Sequence, residues 1–140
     1  MLSNNQINEM LEVMSRNGYR ITEQRQTLLA IVIAHEGCMS PKDIYVRMIE
    51  KFPGVSFDTV YRNLRILKQL GLVEQFYFMD SGLKFKASCN SHHYHHLICQ
   101  GCESIVPIEN CPLERLIHLP ENYKILYHRF EIYGLCEQCQ

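Results

Sequence analysis

Two pairs of cysteines with the same spacing stand far apart in the second half of this chain. Cys99 and Cys102 form one pair and Cys136 and Cys139 the other, with two residues between the members of each. This spacing lets both sulfurs of a pair reach one ion, and four thiolates complete the tetrahedral shell of a structural zinc site. A redox pair is the alternative, but no βαβ pattern surrounds either pair. We therefore predict a closed four-sulfur zinc site that links residues 136–139 to the strand following a cluster of histidines.

That cluster holds four histidines within five residues: His92, His93, His95 and His96. Cys89 lies just ahead of it. In an extended strand, successive side chains point to opposite faces, so His93 and His95 would share one face, opposite to the other two. One strand could therefore supply ligands to two metal sites, although a merely polar loop is the alternative. Further along, the sequence pattern predicts a short helix over residues 111–119 and a strand over residues 124–133 that carries His128.

The composition favours metal binding over disulfide bonds. Seven cysteines and seven histidines occur in 140 residues, of which 46% are hydrophobic and 21% charged, as is typical of a globular protein. The first ten residues lack the basic start and apolar run of a signal peptide, and no apolar stretch approaches the ~18 residues of a membrane span. We therefore expect a cytoplasmic protein without a membrane partner, in which thiols stay reduced.

Residues 56–71 predict a helix with two different faces. Ser56 is placed to cap its start and Gly71 its end, and the apolar residues recur at helical spacing: Val60, Leu64, Leu67 and Leu70. The opposite face carries cations and groups suited to phosphates and base edges, with no acid after Asp58: Tyr61, Arg62, Asn63, Arg65 and Lys68. A solvated helix face is the alternative, but such a face usually alternates charges. We predict a DNA-recognition helix.

The elements around this helix fit a DNA-binding domain. Three amphipathic helices precede it, with capping signals at Thr22 and at Ser40-Pro41, and two β-type runs joined by residues 79–82 follow it. Helices followed by a hairpin describe a winged helix, although an inert scaffold could show the same pattern. Because the net charge is only −1, DNA affinity would depend on a local patch: Arg20, Arg25, Arg62, Arg65 and Lys68.

From residues 18–22 to residues 134–139, the chain resembles the ferric-uptake-regulator (Fur) family of metal-dependent repressors, most clearly in residues 56–73 (SFDTVYRNLRILKQLGLV). Within that family, Cys89 and the segments 108–113 and 128–134 are most similar to the zinc-uptake regulators. The resemblance implies an α+β protein of two domains. Residues 1–87 would form a winged-helix DNA-binding domain with its wing and hinge, and residues 88–140 a small α/β dimerisation and metal-sensing domain with zinc sites.

The resemblance also implies three metal sites and a set of DNA contacts. The structural zinc site is the four-cysteine set, and a second site in the dimerisation domain maps onto His93, His95, Glu114 and His128. A regulatory site at the hinge would use Cys89 and His96. There, Tyr94 and Pro107 stand where a histidine and a carboxylate are usual, so Cys38, Glu74 or His92 would complete it. The implied DNA contacts are Arg20, Thr59, Tyr61, Arg62, Asn63 and Arg65.

The function expected from these features is metal-responsive repression of metal-uptake genes by a homodimer bound to a palindromic DNA operator. A thiolate among imidazoles favours zinc, and the alternative is an iron- or peroxide-sensing regulator using Fe²⁺ or Mn²⁺. We expect neither an enzyme nor a small-molecule substrate. A zinc-dependent hydrolase remains the remote alternative, because His35-Glu36 starts like a zincin helix but lacks the second histidine. A zinc-storage module is a third alternative, although it would have no use for the arginine-bearing helix.

Overall fold

The computed structural model of the chain describes residues 2–88, 95–113, 118–126 and 128–140. The chain divides into two compact units, Met1–Ser88 and Cys89–Gln140. No helix in the described part of the chain is long and apolar enough to cross a bilayer.

The first unit is a winged helix, as the sequence predicted. Four helices come first, α1 (Leu2–Arg16), α2 (Glu23–Ala34), α3 (Pro41–Lys51) and α4 (Phe57–Gln69). An antiparallel hairpin of β1 (Val73–Phe78) and β2 (Gly82–Ala87) follows. A bridge between Met39 and Phe85 attaches the segment ahead of α3 to the hairpin. The wing is therefore fixed to the helices by backbone hydrogen bonds as well as by packing.

Side-chain caps set the starts of three of these helices. In each case a hydroxyl accepts a hydrogen bond from the amide three residues on: Thr22 from Arg25 (3.2 Å), Ser40 from Asp43 (3.1 Å) and Ser56 from Thr59 (3.1 Å). Such a cap satisfies one of the amides that a helix start leaves unpaired and stabilises the helix by about 1 kcal/mol. After α4, Gly71 adopts a φ of 73°, a left-handed conformation that residues other than glycine rarely adopt.

The core of this unit is a single apolar cluster to which all four helices and both wing strands contribute. Its fully buried members include Met14, Leu28, Leu29, Ile44, Met48, Val60, Leu64, Leu67 and Phe85. Three of them come from α4 and lie at the spacing that the sequence predicted for its apolar face. Because this face is packed inward, the arginines on the other side of α4 are held out in solvent.

The second unit contains a three-stranded sheet of order β4–β3–β5. Strand β3 (His95–Cys99) pairs antiparallel with β4 (Ile105–Ile108) and parallel with β5 (Glu131–Gly134). Strand β4 was not among the predicted elements, and it contains a proline, Pro107, which is uncommon within strands. In the structure β4 is an edge strand, where a missing backbone donor is tolerated, and Pro107 lies opposite His96.

Two predictions for the second half need correction or lie outside the described residues. The strand predicted over residues 124–133 is wrong in extent, because residues 124–126 and 128–130 are irregular and β5 begins only at Glu131. Alternating side chains suit a strand but do not supply a neighbour, and β5 pairs with β3 over just four residues. A helix was predicted over residues 111–119, and residues 114–117 of it lie outside the described part of the chain. Of the rest, Leu113 is helical, whereas His118 and Leu119 are not.

Candidate metal centres and nucleic-acid interface

The two cysteine pairs come together in the second unit. The sulfur atoms of all four cysteines lie within 4.8 Å of one another: Cys99, Cys102, Cys136 and Cys139. Cys99 ends β3, Cys102 lies in the turn towards β4, and the other pair follows β5. The Cys102 and Cys136 sulfurs are 3.9 Å apart, close to the ~3.8 Å between two sulfurs that share a tetrahedral zinc ion. The geometry fits one ion bound by four thiolates.

The backbone around this four-cysteine cluster brings the pairs together. The amide of Gln100 donates to the carbonyl of Gly134 at 2.9 Å, which joins the first turn to the end of β5. Gly101 then allows the second pair to approach, because a Cβ at this position would lie 2.7 Å from the Cβ and 2.8 Å from the sulfur of Cys139. A larger residue would push Cys139 away from the other three sulfurs.

Hydrogen bonds spread the thiol pKa values of the cluster widely. The backbone amides of Cys102 and Cys136 donate to Cys99 and lower the pKa of its thiol to about 6. The hydroxyl of Ser104, 3.2 Å from the sulfur of Cys102, helps to lower the pKa of that thiol as well. Contacts with the neighbouring thiols of Cys136 and Cys99 raise the pKa of Cys139 to about 12. The cluster thus has anionic sulfur ready at neutral pH, which is the form that binds a metal ion.

A second cluster of possible metal ligands lies in the same unit and consists of His95, Cys111 and His128. The Nε2 atoms of the two histidines are 3.2 Å apart, and the sulfur of Cys111 lies 3.1 Å from His95 and 3.2 Å from His128. The sequence prediction for this site named His95 and His128 but not Cys111. The other two predicted ligands, His93 and Glu114, lie outside the described residues.

The sequence contains a signal for Cys111 as a possible ligand. Once the four-cysteine site is assigned, three of the seven cysteines remain, and Cys111 lies in the segment 108–113 that resembles the zinc-uptake regulators. Its partners are 16 and 17 residues away along the chain, and one of them follows an irregular segment. Only the folded sheet shows that the three side chains meet.

The residues predicted for a hinge site remain a prediction. Cys89 and His92 lie outside the described residues, while Cys38 and Glu74 belong to the first unit and are half-buried. His96, on β3, is half-buried and lies opposite Glu131 in the sheet.

Burial alone would raise the pKa of the Glu131 carboxyl. Hydrogen bonds from the Tyr133 hydroxyl and from the Arg129 guanidinium at 2.7 Å, together with the charges of Arg129 and His96, outweigh burial and hold that pKa below its usual range.

The outer face of α4 presents a row of exposed cations. Arg62, Arg65 and Lys68 are exposed, and Thr59 and Tyr61 are partly so. The ring of Tyr61 stacks on Phe57 with centroids 6.2 Å apart, and Phe57 meets Tyr45 edge-on at 5.7 Å. Arg20, another residue of the predicted contact set, is exposed in the loop ahead of α2. These exposed and partly exposed side chains are of the kinds that contact phosphates and base edges.

Asn63 is the exception among the predicted DNA contacts. Its side chain is only 9% exposed, its Nδ2 donates to the carbonyl of Thr59 at 3.0 Å, and its Oδ1 accepts from Nε of Arg25 at 3.1 Å. An amide that is buried and bonded at both ends does not reach a groove. We correct the prediction: Asn63 orients Arg25, and it is not proposed as a DNA contact.

Comparison with known proteins agrees with these features. Residues 16–133 match the model of the ferric uptake regulator family. The ferric uptake regulation protein of Staphylococcus epidermidis is 38% identical over 133 residues (95% of each chain), and that of Staphylococcus aureus 37% identical over 134 residues (95% of this chain and 97% of that one).

Two solved structures share the fold at low identity. A zinc uptake regulator complexed with zinc and DNA is 20% identical, with a TM-score of 0.77 over 99% of this chain and 95% of that one. The Helicobacter pylori ferric uptake regulator is 18% identical, with a TM-score of 0.67 over 98% and 93%. With a family model that matches most of its length and relatives of this similarity, the chain belongs to the ferric uptake regulator family, whose members are metal-responsive transcription regulators rather than enzymes.

Proposed function

We propose that this protein is a zinc-responsive repressor that binds a palindromic DNA operator as a homodimer and controls metal-uptake genes. The observation that carries the proposal is the composition of its two clusters, one of four sulfurs and one of two imidazole nitrogens and a sulfur. Thiolate and imidazole donors suit zinc, whereas carboxylates and water suit manganese and similar hard ions.

Iron sensing is the second candidate, because the curated relatives at 37–38% identity are ferric uptake regulation proteins. Non-haem Fe²⁺ sites commonly combine imidazoles with a carboxylate. The donors that the described residues bring together are sulfur and imidazole nitrogen, and the predicted carboxylate ligand Glu114 lies outside the described residues. The donor chemistry therefore favours zinc, and a direct comparison of the two metals decides between the candidates.

DNA binding is supported by the exposed cations of α4 and by Arg20. We propose Arg62 and Tyr61 for base edges and thymine methyls, and Thr59, Arg65 and Arg20 for phosphates, edges or the minor groove. The net charge of −1 makes this surface the source of affinity, because the chain as a whole does not attract DNA. We therefore expect binding that falls steeply as salt is raised.

Dimer formation is supported by the second unit, whose described residues bury little apolar surface. Ile98 and Cys99 are its buried hydrophobic residues, whereas many large ones are exposed: Leu97, Val106, Leu119, Tyr123, Ile125, Leu126, Ile132 and Leu135. A domain this small needs further burial or metal ions to be stable. An exposed apolar surface of this extent is typical of an interface, and we propose that a second copy of the chain covers it.

In the proposed mechanism, the metal-loaded dimer holds its two α4 helices at the spacing of successive major grooves, about 34 Å. Metal binding changes the DNA affinity only if the ion binds the DNA-competent form more tightly. A coupling free energy of about 1–3 kcal/mol would change the affinity by roughly 5- to 150-fold.

A selection from random duplexes tests the proposal. The full-length protein is incubated with the pool in zinc, in Fe²⁺ without oxygen, or after mild chelation that leaves the structural ion in place. We expect the zinc-loaded protein to enrich a palindromic duplex, and to do so at a lower free metal concentration than the iron-loaded protein requires. Chelation should abolish the enrichment. Equal binding by the chelated, still-folded protein would disprove metal-responsive repression, and enrichment by iron alone would establish the second candidate.

A further inference from the structure

The cluster of His95, Cys111 and His128 has the dimensions of a metal site. Its three donor atoms form a nearly equilateral triangle with sides of 3.1, 3.2 and 3.2 Å. Two nitrogens, or a nitrogen and a sulfur, that share a tetrahedral zinc ion lie about 3.3–3.6 Å apart. An ion just above the triangle would therefore reach all three atoms at about 2.0–2.3 Å with only a slight widening of the cluster.

The surroundings of the cluster limit its motion and its access to water. His95 is 3% exposed, and the ring of Phe130 lies edge-on to it with centroids 5.4 Å apart. The rings of His95 and His128 are tilted by 34° with centroids 5.0 Å apart, so they do not stack face to face and their Nε2 atoms converge. Cys111 and His128 are half-buried, which leaves a route for an ion from solvent.

We propose that Cys111 is a metal ligand and that His95, Cys111 and His128 together bind one zinc ion. On binding, the Cys111 thiol releases its proton to solvent and the thiolate forms the metal–sulfur bond, while both imidazoles bind through Nε2. This proposal assigns a sulfur donor to the second metal site of the second unit. It deepens the proposed function, on which it rests for its biological role. A thiolate at this position favours zinc over hard ions such as manganese.

The alternative is a hydrogen-bonded trio, since a thiol and two neutral imidazoles can each donate to one another at these distances. A metal site and a hydrogen-bonded trio differ in the absorption spectrum of the protein after Co²⁺ is added. Co²⁺ in place of zinc shows a sulfur-to-cobalt charge-transfer band in the near ultraviolet only if a thiolate binds it. A hydrogen-bonded trio gives no such band.

The experiment uses full-length protein carrying C38S and C89S, with zinc retained in the four-cysteine set. Since the chain has seven cysteines, Cys111 is then the one thiol outside that set. Co²⁺ is titrated in, and native mass spectrometry confirms that the structural zinc has not exchanged. We expect a charge-transfer band that saturates at one cobalt per chain and disappears with C111S on the same background. No band in the parent, or a band that survives C111S, would overturn the proposal.

Two further variants separate loss of a ligand from loss of fold. With C111H a nitrogen replaces the sulfur, and we expect cobalt still to bind, with its visible bands but without the charge-transfer band. H118A removes an exposed histidine outside the cluster and should leave the spectrum unchanged. Cobalt binding by C111H with the charge-transfer band intact would also overturn the proposal.

Metal affinity provides an independent readout. Loss of a partner that merely orients a ligand lowers metal affinity roughly 10–100-fold, so we expect C111S to weaken zinc binding at this site by at least that factor. Unchanged zinc affinity would overturn the assignment. Neither measurement uses DNA, so their outcome does not depend on whether the protein is a repressor, and the selection of duplexes can fail while the cobalt band is present.

Discussion

Asn63 accepts a hydrogen bond from the Nε of Arg25 at 3.1 Å, which joins the middle of α4 to the first turn of α2. The same guanidinium donates to the backbone carbonyl of Arg20 at 2.6 Å and lies 5.6 Å from the centre of the Tyr19 ring. One side chain therefore links the proposed recognition helix to the loop that carries Arg20. Major-groove and minor-groove contacts would be held in a fixed relation by this link.

Replacing Asn63 by alanine should break that link. Arg25 would lose a partly buried acceptor, and hydrogen bonds to charged groups are worth about 1.5–3 kcal/mol. We expect the free energy of unfolding of the first unit to fall by about that amount and DNA affinity to fall with it, measured by chemical denaturation and by gel shift. Gln69→Ala, an exposed position on the same helix, is the control. Equal stability of the two variants would contradict the proposed link.

Arg62→Ala tests the outer face of α4 directly. Arg62 is exposed and outside the apolar core, so its loss should leave the fold intact. We expect specific binding to the selected palindrome to weaken by about 1–3 kcal/mol, the usual value of a base contact, in a gel-shift titration at fixed salt. Arg16→Ala removes an arginine that pairs with Glu12 on α1 and should have no such effect. Unchanged affinity of the Arg62 variant would remove it from the interface.

The first unit could be predicted well because its signals are local. Caps such as Ser56 and the spacing of Val60, Leu64 and Leu67 lie within a few turns of the chain, and the structure reproduces them. Asn63 was misassigned because it stands beside that apolar stripe, where periodicity alone does not decide burial. Its partner Arg25 is 38 residues away along the chain, so the pattern of residues 56–71 alone does not predict that contact.

The second unit was harder to predict because its contacts join distant segments. The spacing within each cysteine pair indicated zinc ligands before the fold was known, but the meeting of Cys111 with His95 and His128 depends on how the sheet closes. The strand predicted over residues 124–133 failed for a related reason, since a strand needs a neighbour that the sequence pattern does not name.

Gly101→Ala should disturb the four-cysteine cluster without removing a ligand. The added Cβ would meet the side chain of Cys139 at 2.7–2.8 Å, well inside normal contact distance. We expect lower zinc content after dialysis against a chelator, measured by elemental analysis, and a lower melting temperature. Gly134→Ala is the matched control, because a Cβ there meets nothing within 4 Å. Equal zinc retention by both variants would show that the cluster tolerates the displacement of Cys139.

Proton release on zinc binding should depend on pH in a direction that the thiol pKa values fix. The pKa of Cys99 is about 6 in the metal-free cluster, so above that pH it is already a thiolate and releases no proton when zinc binds. Below that pH it holds a proton that zinc must displace, whereas Cys139, with a pKa of about 12, releases one under both conditions.

We therefore expect the first equivalent of zinc to displace at least about one more proton near pH 5 than near pH 7.5, because the lowered pKa of Cys102 acts in the same direction. The measurement uses reduced, metal-free Cys111→Ser protein with a pH indicator in weak buffer, so that zinc enters the four-cysteine cluster. Near-ultraviolet circular dichroism checks that the metal-free protein is folded. Equal proton release at the two pH values would show that Cys99 is not the low-pKa thiol.

Leu126→Glu tests whether the apolar surface of the second unit is the dimer interface. Leu126 is 78% exposed in the single chain, so a charge there should not disturb the fold of an isolated copy. If a second copy covers it, the substitution loses the ~1.5–3 kcal/mol gained by burying a leucine and adds the cost of burying a carboxylate. We expect the dimer dissociation constant to rise at least about tenfold in sedimentation equilibrium, together with loss of cooperative binding to the palindrome. Met79→Glu, 81% exposed in the wing turn of the other unit, should remain dimeric. A Leu126 variant as dimeric as the wild type would place the interface elsewhere on the chain.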